Sequence, residues 1–391
     1  MTRPGYKMTE IGEIPEDWDL KRIRECAEVK YGRSNPKTEG MIPLIGSSGV
    51  FGAVSEPLIY APTIVIGRKG TAGAVWDVRT PSWPSDTAFY LEYKTEISQK
   101  FLFEFMSLNK LTGEHAKTTL PSVKREEIEE FLFPFPPLPE QKKIAEILSS
   151  MDEAIQRVND KVTKTERLKK GLMQTLLTKG IGHTNFKMTE IGEIPQEWDL
   201  RNIEQICQKP QYGFTESASF VHDGPKFLRI TDIQDGAVNW NSVPFCNCSK
   251  EILEKYKLTS GDILFARTGA TTGKSFIVKN PPVSIFASYL IRIRSKVVVN
   301  PVYLYMYLNS GAYWRQIKQR ISGSAQGGVN ASLLCKILVA VPPHPEQQKI
   351  AEILSDADKE IEALEQKRDK YKLFKMGMMQ QLLTGRIRVN D

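Results

Sequence analysis

Two stretches of this sequence carry residue types that could do chemistry, and each lacks part of the pattern that its chemistry needs. Gly269–Ser275 reads GATTGKS, which is one residue short of a phosphate-binding loop because Thr268 stands where a glycine is needed. Asn280–Val283 reads NPPV and lacks the aromatic side chain that would stack on a flipped adenine in a methyltransferase. The sequence therefore predicts that this chain has no catalytic centre of its own.

A better candidate for a functional site is an arginine beside glycines. This arrangement occurs twice, each time after a short apolar run. Thr63–Gly73 reads TIVIGRKGTAG, and Asp262–Gly273 reads DILFARTGATTG. An arginine can donate to the O6 and N7 atoms of guanine, and glycines let the backbone approach a DNA duplex closely. The predicted DNA contacts in these loops are Arg68, Lys69 and Thr71, and Arg267, Thr268 and Lys274. A solvated β-turn is the alternative interpretation of each loop.

Short polar side chains elsewhere in both halves of the chain are further candidates for DNA contacts. Such side chains suit phosphate oxygens or base edges, but they are equally typical of ordinary turns. In the first half these candidates are Arg33, Ser34, Ser47, Ser48, Thr118, Thr119 and Ser122. In the second half they are Thr215, Arg229, Thr231, Asp232, Ser324, Gln326 and Asn330.

The cysteines and histidines give no disulfide or metal-binding pattern. The five cysteines are odd in number and have no CxxC spacing, and the four histidines are scattered along the chain. No apolar run approaches the ~18–20 residues that would span a membrane, and the N-terminal segment lacks the apolar core of a signal peptide. We expect reduced thiols, no metal site, no membrane association and a cytoplasmic location.

Internal repeats organise the chain and place the two arginine loops in corresponding positions. Lys7–Leu20 and Lys187–Leu200 share 12 of 14 residues at an offset of 180. Pro136–Ile155 and Pro342–Ile361 share 14 of 20 residues at an offset of 206. The second copy thus carries 26 extra residues between its matched ends. The sequence predicts two copies of a mixed α/β module, each followed by a helix.

Each repeat ends in a long stretch with a heptad pattern. Residues 140 to 177 contain no proline and one glycine, and eight of ten seam positions are apolar in each copy. This pattern predicts two helices that pair as a coiled coil. Parallel pairing would place the modules side by side, whereas antiparallel pairing would place them at opposite ends. We expect antiparallel pairing, because the resulting pseudo-two-fold axis suits a B-DNA duplex. The alternative is that each helix only caps its own module. The predicted seam includes Ile144, Leu148, Met151, Ile155, Val158, Ile350, Leu354, Ile361 and Leu364.

These features together predict a mixed α/β fold, in which two modules are separated by two long helices. The predicted modules are residues 1–138 and 181–344, and the predicted helices are residues 139–180 and 345–391. A chain of 391 residues is long enough for several domains. Its net charge of +7 is compatible with a nucleic-acid partner but is weak evidence alone.

The repeated segments resemble the specificity subunit of type I restriction–modification systems. TEIGEIPxxWDL opens each half, a divergent middle follows, and PPLPEQKKIAEIL or its second copy leads into the long helix. The resemblance covers essentially the whole chain. It implies that the two divergent modules are target recognition domains, each reading one half of a bipartite, asymmetric DNA site. It also implies that the chain itself is not an enzyme.

The same resemblance implies partners and cofactors. The two helices would space the modules and dock two methyltransferase subunits, and restriction/translocase subunits would complete the complex. Those partners would use S-adenosylmethionine, ATP and Mg²⁺, whereas this chain would bind no cofactor. Two alternatives stay open. One is a self-contained methyltransferase or nuclease, and the other is a coiled-coil scaffold that binds DNA without sequence preference.

Overall fold

The computed structural model describes residues 3–36, 38–111, 121–221, 224–234, 236–322 and 328–389. These residues belong to two compact units. The first unit consists of Met1–Asp160 and Glu365–Asp391, and the second consists of Lys161–Leu364. Each unit therefore contains one of the repeated modules together with parts of both long helical stretches.

The first half of the chain folds into short strands and helices, of which the last helix is long. The strands are β1 Tyr6–Thr9, β2 Gly12–Pro15, β3 Asp19–Arg22, β4 Ala27–Tyr31, β5 Ile42–Gly46, β6 Gly49–Val54, β7 Thr63–Gly67, β8 Val75–Val78, β9 Trp83–Pro84, β10 Ala88–Tyr93 and β11 Leu132–Phe135. The helices are α1 Ile23–Cys26, α2 Gln99–Leu108, α3 Arg125–Glu129 and α4 Leu138–Leu176.

The second half repeats this order and adds elements in its middle. The strands are β12 Phe186–Thr189, β13 Gly192–Pro195, β14 Asp199–Asn202, β15 Gln211–Tyr212, β16 Lys226–Leu228, β17 Ile233–Gln234, β18 Ala237–Val238, β19 Ile263–Ala266, β20 Ser275–Ile277, β21 Ser284–Phe286, β22 Leu290–Ile293 and β23 Leu338–Val341. The helices are α5 Ile203–Ile206, α6 Lys250–Tyr256, α7 Pro301–Tyr307, α8 Gly311–Ser322, α9 Ala331–Cys335 and α10 His344–Leu382, with a short 3₁₀ helix at Ile230–Asp232.

The two modules share one sheet topology. In the first module, β4, β10, β7 and β8 form a four-stranded antiparallel sheet in that order. In the second module, β15, β22, β19 and β20 form the corresponding sheet in the same order. The pairing of β3 with β11 recurs as β14 with β23, and the hairpin β1–β2 recurs as β12–β13. The repeat therefore extends through the divergent middle of the chain, where few residues match.

The modules differ in the smaller sheet beside this shared one. In the first module, β5 pairs antiparallel with β6 and parallel with β9. In the second module, β16 pairs parallel with β21, and the hairpin β17–β18 and helix α6 precede β19. These added elements lie within the stretch in which the second copy is longer.

Apolar side chains from the sheet and the following helix form the core of each module. β7 is buried along its whole length, because both faces of the sheet are covered there. In the first module, Ile66 of this strand and Phe89 of β10 belong to the same apolar cluster as Phe101 of α2. In the second module, Phe265 of β19 clusters with Tyr303 of α7. The conserved sheet is therefore a rigid base for the loops at its strand ends.

The two long helices are equal in length. α4 and α10 each contain 39 residues, which corresponds to about 58 Å at 1.5 Å per residue. Pro139 and Pro345 stand in the first turns, where the missing N–H of proline has no intrahelical partner to lose. The seam residues predicted from the heptads are all buried or half-buried: Ile144, Leu148, Val158, Ile350 and Leu354 are buried, and Met151, Ile155, Ile361 and Leu364 are half-buried.

The two helices pair antiparallel, as predicted. In the first unit, Nζ of Lys375 in α10 donates to the Asp152 carboxylate of α4 at 2.7 Å. In the second unit, Nζ of Lys169 in α4 donates to the Asp358 carboxylate of α10. Both the two lysines and the two aspartates are 206 residues apart. The same ion pair thus recurs in each unit with the roles of the helices exchanged, as expected from the internal repeat.

A tryptophan–glutamate pair joins each module to the start of its helix, and a side chain that follows the other long helix completes the group. In the first unit, Nε1 of Trp18 donates to Glu140 at 2.9 Å. Arg388, which follows α10, donates to the carboxylates of Glu140 at 2.9 Å and Asp17 at 2.7 Å. These hydrogen bonds with Arg388 lower the pKa of Asp17. We call this group the first socket.

The second unit contains a corresponding group, the second socket. Nε1 of Trp198 donates to Glu346 at 3.0 Å. Nε2 of His183, which follows α4, lies 2.9 Å and 3.0 Å from the two oxygens of the same carboxylate. The Ile181 backbone N–H also donates to it at 2.8 Å. Trp18 and Trp198 are both fully buried.

Candidate nucleic-acid interface

In the first module, the arginine predicted to contact DNA directly follows a buried strand. β7 ends at Gly67, and the Arg68 backbone N–H donates to the Thr87 carbonyl at 2.8 Å. The Arg68 carbonyl accepts from the Val123 backbone N–H at 2.9 Å. Hydrogen bonds to two different segments thus fix the backbone at this residue. Gly70 has a φ of 80°, which other residues rarely adopt, so the loop reverses at this glycine.

The Arg68 side chain lies over an aromatic ring at the surface of the module. Its guanidinium carbon is 5.1 Å from the centre of the Tyr31 ring and 5.8 Å from the centre of the Phe89 ring. Tyr31 is 49% exposed, whereas Phe89 is buried beneath it, with the two ring centres 4.9 Å apart. Nη1 of Arg68 also donates to the Asp86 carbonyl at 3.3 Å. Cation–π attraction therefore orders this side chain.

The second module builds the same arrangement from different residues. Arg267 follows β19, its backbone N–H donates to the Tyr289 carbonyl at 3.0 Å, and its carbonyl accepts from the Val329 N–H at 3.0 Å. Its guanidinium carbon lies 5.1 Å from the centre of the Tyr212 ring. The Tyr212 hydroxyl accepts a hydrogen bond from the Ala331 backbone N–H at 3.1 Å. The arginine–tyrosine stack is therefore a feature of both modules.

Neither stacked guanidinium is paired with a carboxylate of the described residues. No Asp or Glu side chain in these ranges lies within ion-pair distance of Arg68 or Arg267. Arg294, by contrast, donates to the buried Asp262 carboxylate at 2.6 Å. A stacked, unpaired guanidinium can donate two parallel hydrogen bonds to the edge of a guanine or to a phosphate. The two stacks therefore have the chemistry of nucleic-acid contacts.

The chain matches a family model along most of its length. The model, described as the type I restriction modification DNA specificity domain, matches residues 15–166 and again residues 185–371. The chain belongs to this family. Each matched range contains one module and most of one long helix, so the resemblance inferred from the repeated segments is confirmed.

Curated relatives of this family member are named specificity subunits. That of the type I restriction enzyme MjaVIII from Methanocaldococcus jannaschii is 27% identical over 404 residues, covering 97% of this chain and 95% of the relative. That of EcoBI from Escherichia coli is 24% identical over 372 residues, covering 88% of this chain and 74% of the relative. The prediction of a recognition subunit rather than an enzyme is confirmed by these relatives, and the alternative of a self-contained methyltransferase or nuclease is set aside.

Solved structures of the family share the fold. The type I restriction–modification S subunit from M. genitalium superposes with a TM-score of 0.63 at 15% identity, covering 98% of this chain and 99% of that chain. A chain from a structure describing complex assembly and conformational transition of the type I R-M system gives a TM-score of 0.58 at 14% identity, covering 96% and 99%. The mixed α/β fold with paired long helices is therefore a family architecture.

Within the first recognition module, the structure gathers several other predicted residues around Arg68. Lys69 forms a β-bridge with Ser122, and both are exposed. A Cβ added to Gly70 would lie 3.5 Å from the Ser47 hydroxyl, so Ser47 borders the same loop. Other predicted contacts stand at the surface: Arg33, Ser34, Ser48 and Thr71 are exposed. Among the described residues, no hydrogen bond joins Ser34 or Ser48 to the Arg68 loop.

In the second recognition module, two of the predicted residues bind each other. The Asp232 carboxylate accepts from Nε of Arg229 at 3.1 Å, from Nη2 at 2.8 Å and from the Arg229 backbone N–H at 2.8 Å. Hydrogen bonding to Asp232 raises the pKa of Arg229. Both oxygens of Asp232 are therefore engaged inside the module, where they hold the short 3₁₀ helix together.

The remaining predicted residues of the second module fall into different settings. Lys274 is exposed and lines a cleft of about 500 Å³ together with Thr271 and Ile230. The Asn330 side chain accepts from the Leu333 backbone N–H at 2.8 Å and so caps α9. Three more stand at the surface: Thr215, Thr231 and Thr268 are exposed. Four predicted contacts lie outside the described residues, namely Thr118, Thr119, Ser324 and Gln326.

Tyr31 and Tyr212 stand in the same short segments as the predicted contacts Arg33, Ser34 and Thr215, but neither tyrosine was predicted to stack on an arginine. Each is followed by a glycine, and the two Tyr-Gly pairs stand at an offset of 181, close to the offset of the repeated opening segments. This repeated Tyr-Gly pair was the sequence signal that could have identified the two tyrosines. It did not indicate their arginine partners, because Tyr31 precedes Arg68 by 37 residues and Tyr212 precedes Arg267 by 55.

The structure also explains why the incomplete catalytic patterns are not sites. Gly269–Ser275 joins the strands β19 and β20, whereas a phosphate-binding loop opens a helix.

Burial raises the pKa of the thiols of Cys207 and Cys246 to about 12, which disfavours the reactive thiolate. In the described ranges, no three His, Cys, Asp or Glu side chains could hold a metal ion. No helix within these ranges is long and apolar enough to cross a membrane.

Proposed function

We propose that this chain reads a bipartite, asymmetric DNA site, with one half-site bound by each recognition module. The observation that carries the proposal is the repeated arginine stack. Both modules present a guanidinium on a tyrosine face, 5.1 Å from the ring centre, at the end of equivalent buried strands, and no carboxylate of the described residues pairs with either one. An ordered surface cation of this kind suits a polyanion whose bases offer hydrogen-bond acceptors.

The surroundings of the two stacks support unlike half-sites. Thr87 provides the carbonyl that holds Arg68, whereas the exposed Tyr289 provides the one that holds Arg267. The cleft beside Lys274 lies next to elements that only the second module has. Because side chains at the rim determine which base edges are read, two modules with a common sheet and different rims should read different sequences.

The test is selection of DNA by the assembled complex. The chain is purified with its methyltransferase subunits and incubated with random duplexes at raised salt, where non-specific binding fades. Recovery of one two-part sequence with a fixed gap is the expected result. Equal recovery of all duplexes would support the coiled-coil scaffold instead. Methylome sequencing of cells that carry the complex, in whose cytoplasm it would act, should give the same sequence.

Two methyltransferase subunits are the partners that we propose for the long helices, with restriction/translocase subunits joining them. Support comes from an exposed glycine at the same place in each helix. A Cβ added to Gly171 of α4 or Gly377 of α10 would meet no atom within 4 Å. A glycine inside a helix costs about 1 kcal/mol relative to alanine, so its retention in both copies calls for another reason. Close approach of a partner backbone is such a reason.

Large apolar side chains beside these glycines fit the same interpretation. Leu168 and Phe374 stand three residues before the two glycines, and each is 61% exposed. One surface present twice suits two copies of one partner. Replacement of either glycine by leucine should leave the chain folded but remove one methyltransferase subunit, as measured by the mass of the complex. Glu153→Leu, at an exposed position of α4 with no such glycine, is the control and should retain both.

The cofactors are proposed to belong to these partners. S-adenosylmethionine would bind the methyltransferase subunits, and ATP with Mg²⁺ would serve the restriction/translocase subunits. The isolated chain should therefore show no heat of binding when S-adenosylmethionine is titrated into it, whereas the complex with methyltransferase subunits should bind it. Binding by the isolated chain would contradict this assignment.

A further inference from the structure

We infer that each half-site contains a guanine read by the stacked arginine, with Tyr31 and Tyr212 acting as positioning residues. The inference rests on the proposed DNA-binding function and specifies its substrate. A guanidinium can contact phosphates anywhere along a duplex, so its presence alone does not select a base. What selects guanine is a fixed plane, because the O6 and N7 acceptors must both meet N–H donors of one planar group.

The tyrosine rings fix that plane. A ring against one face of the guanidinium restricts rotation of the long arginine side chain while its N–H groups stay at the edge. An arginine that is already ordered loses less conformational entropy when it binds. Tyr31 and Tyr212 keep 49% and 39% of their surface exposed, so each stack stands where a duplex can reach it.

Different contacts hold the two tyrosine rings. This indicates that the arginine–tyrosine stack itself is the feature shared by the two modules. The Tyr31 ring packs on the buried Phe89 ring, with centres 4.9 Å apart. The Tyr212 hydroxyl instead accepts from the Ala331 backbone N–H at 3.1 Å. The arginine-to-ring distance is nevertheless the same, 5.1 Å in both modules. Because unrelated contacts give the same arginine–ring distance, we infer that the ligand of both modules requires this stack.

Modified bases test the guanine directly. Once the target is known, each guanine of a half-site is replaced in turn by 7-deazaguanine, which lacks the N7 acceptor. One position per half-site should weaken binding of the complex about 10-fold. The same replacement should have no further effect on Arg68→Ala in the first half-site or on Arg267→Ala in the second. Inosine, which keeps O6 and N7, should be tolerated at both positions.

Tyrosine variants test the positioning role. Tyr31→Leu and Tyr212→Leu should each lower the preference for guanine over 7-deazaguanine by about 3- to 10-fold in their own half-site. Tyr31→Phe should keep the full preference, because its hydroxyl is not needed. Tyr212→Phe should lose part of it, because the hydroxyl that accepts from Ala331 is gone. Thermal unfolding of all four variants provides the folding control.

The outcomes separate this inference from the proposed function. If the complex selects a sequence but no guanine depends on either arginine, the inference is wrong and DNA reading stands. If leucine variants weaken specific and random duplexes equally while the guanine preference is unchanged, the tyrosines are only structural. If the complex selects no sequence at all, the proposed function itself fails.

Discussion

The first and second sockets perform the same task with different closing residues. In both, a buried tryptophan donates to a glutamate in the first turn of a long helix, and a residue after the other long helix closes the group. That residue is Arg388 in the first socket and His183 in the second. Arginine presents five N–H donors in a planar fork, whereas histidine presents two ring nitrogens.

The difference shows which part of a duplicated junction is constrained. The tryptophan is retained because it is fully buried, and the glutamate because it accepts the indole N–H, so that loss of either leaves a cavity or an unpaired polar group. The closing residue stands nearer the surface, and any donor of suitable length can fill it. The recognition modules follow the same rule. Their shared sheet is retained strand by strand, while the rim residues around each stacked arginine differ.

The largest expected loss of stability follows from replacing the buried tryptophan that both sockets contain. Trp18→Ala and Trp198→Ala should each lower the free energy of unfolding by about 3–5 kcal/mol, because a fully buried indole is removed. Denaturant unfolding followed by circular dichroism measures the change. Met188→Ala, at a side chain that is 79% exposed, is the control and should have little effect. If the tryptophan variants behave like this control, the sockets are not what stabilises the junctions.

The next effect separates the two recognition modules. Arg68→Ala and Arg267→Ala should each cost about 1–3 kcal/mol of DNA-binding free energy and relax one position of one half-site only. Binding of the complex to duplexes mutated in one half-site at a time measures this. Arg79→Ala, at an exposed arginine paired with Asp77, should leave both half-sites unchanged. Uniform weakening across all sequences would instead identify the arginines as phosphate contacts.

Replacing the closing arginine should make the first socket depend on pH. Arg388→His should make the first unit less stable at pH 8 than at pH 5.5, by about 1 kcal/mol, because a neutral imidazole does not compensate the Glu140 carboxylate. Thermal unfolding at the two pH values measures the change. Parallel pH profiles for the wild type and Arg388→His would contradict this comparison.

The smallest effect is at the edge of the first socket. Hydrogen bonding to Arg388 lowers the pKa of Asp17, so its contribution to stability is complete above the pKa of an unfolded aspartate and is lost as pH falls through the lower folded value. Since Asp17 is largely exposed, Asp17→Asn should cost only about 0.2–1 kcal/mol at pH 7. The cost should shrink as the pH falls below the range in which an unfolded aspartate titrates. Glu197→Gln, at the equivalent exposed position of the second unit, should show no such cost at pH 7 or at lower pH.

Much of the architecture could be predicted from the chain itself. Periodic apolar residues predicted the long helices and their pairing, because such patterns depend on neighbours within a few turns. The antiparallel direction was expected from the order of module and helix in each repeat and from the two-fold axes of a DNA duplex. The offset of 206 predicted that the two long helices are equivalent. The ion pairs of Asp152 and Asp358, which are 206 residues apart, agree with this. Family membership was evident for the same reason, since the matched segments are continuous stretches of sequence.

The tertiary structure alone decided which polar groups meet, because those contacts join residues far apart in the chain. It placed Tyr31 under Arg68, used Asp232 to bind Arg229, and used Asn330 to cap a helix. It also decided that Arg388 and His183 occupy equivalent places in the two sockets. The 206-residue offset pairs His183 with Val389, yet Arg388 fills the first socket, because the chain turns at Gly180 and at Gly385 in the left-handed region, one residue out of step. Local sequence determines which elements form, and packing decides which side chains they bring together.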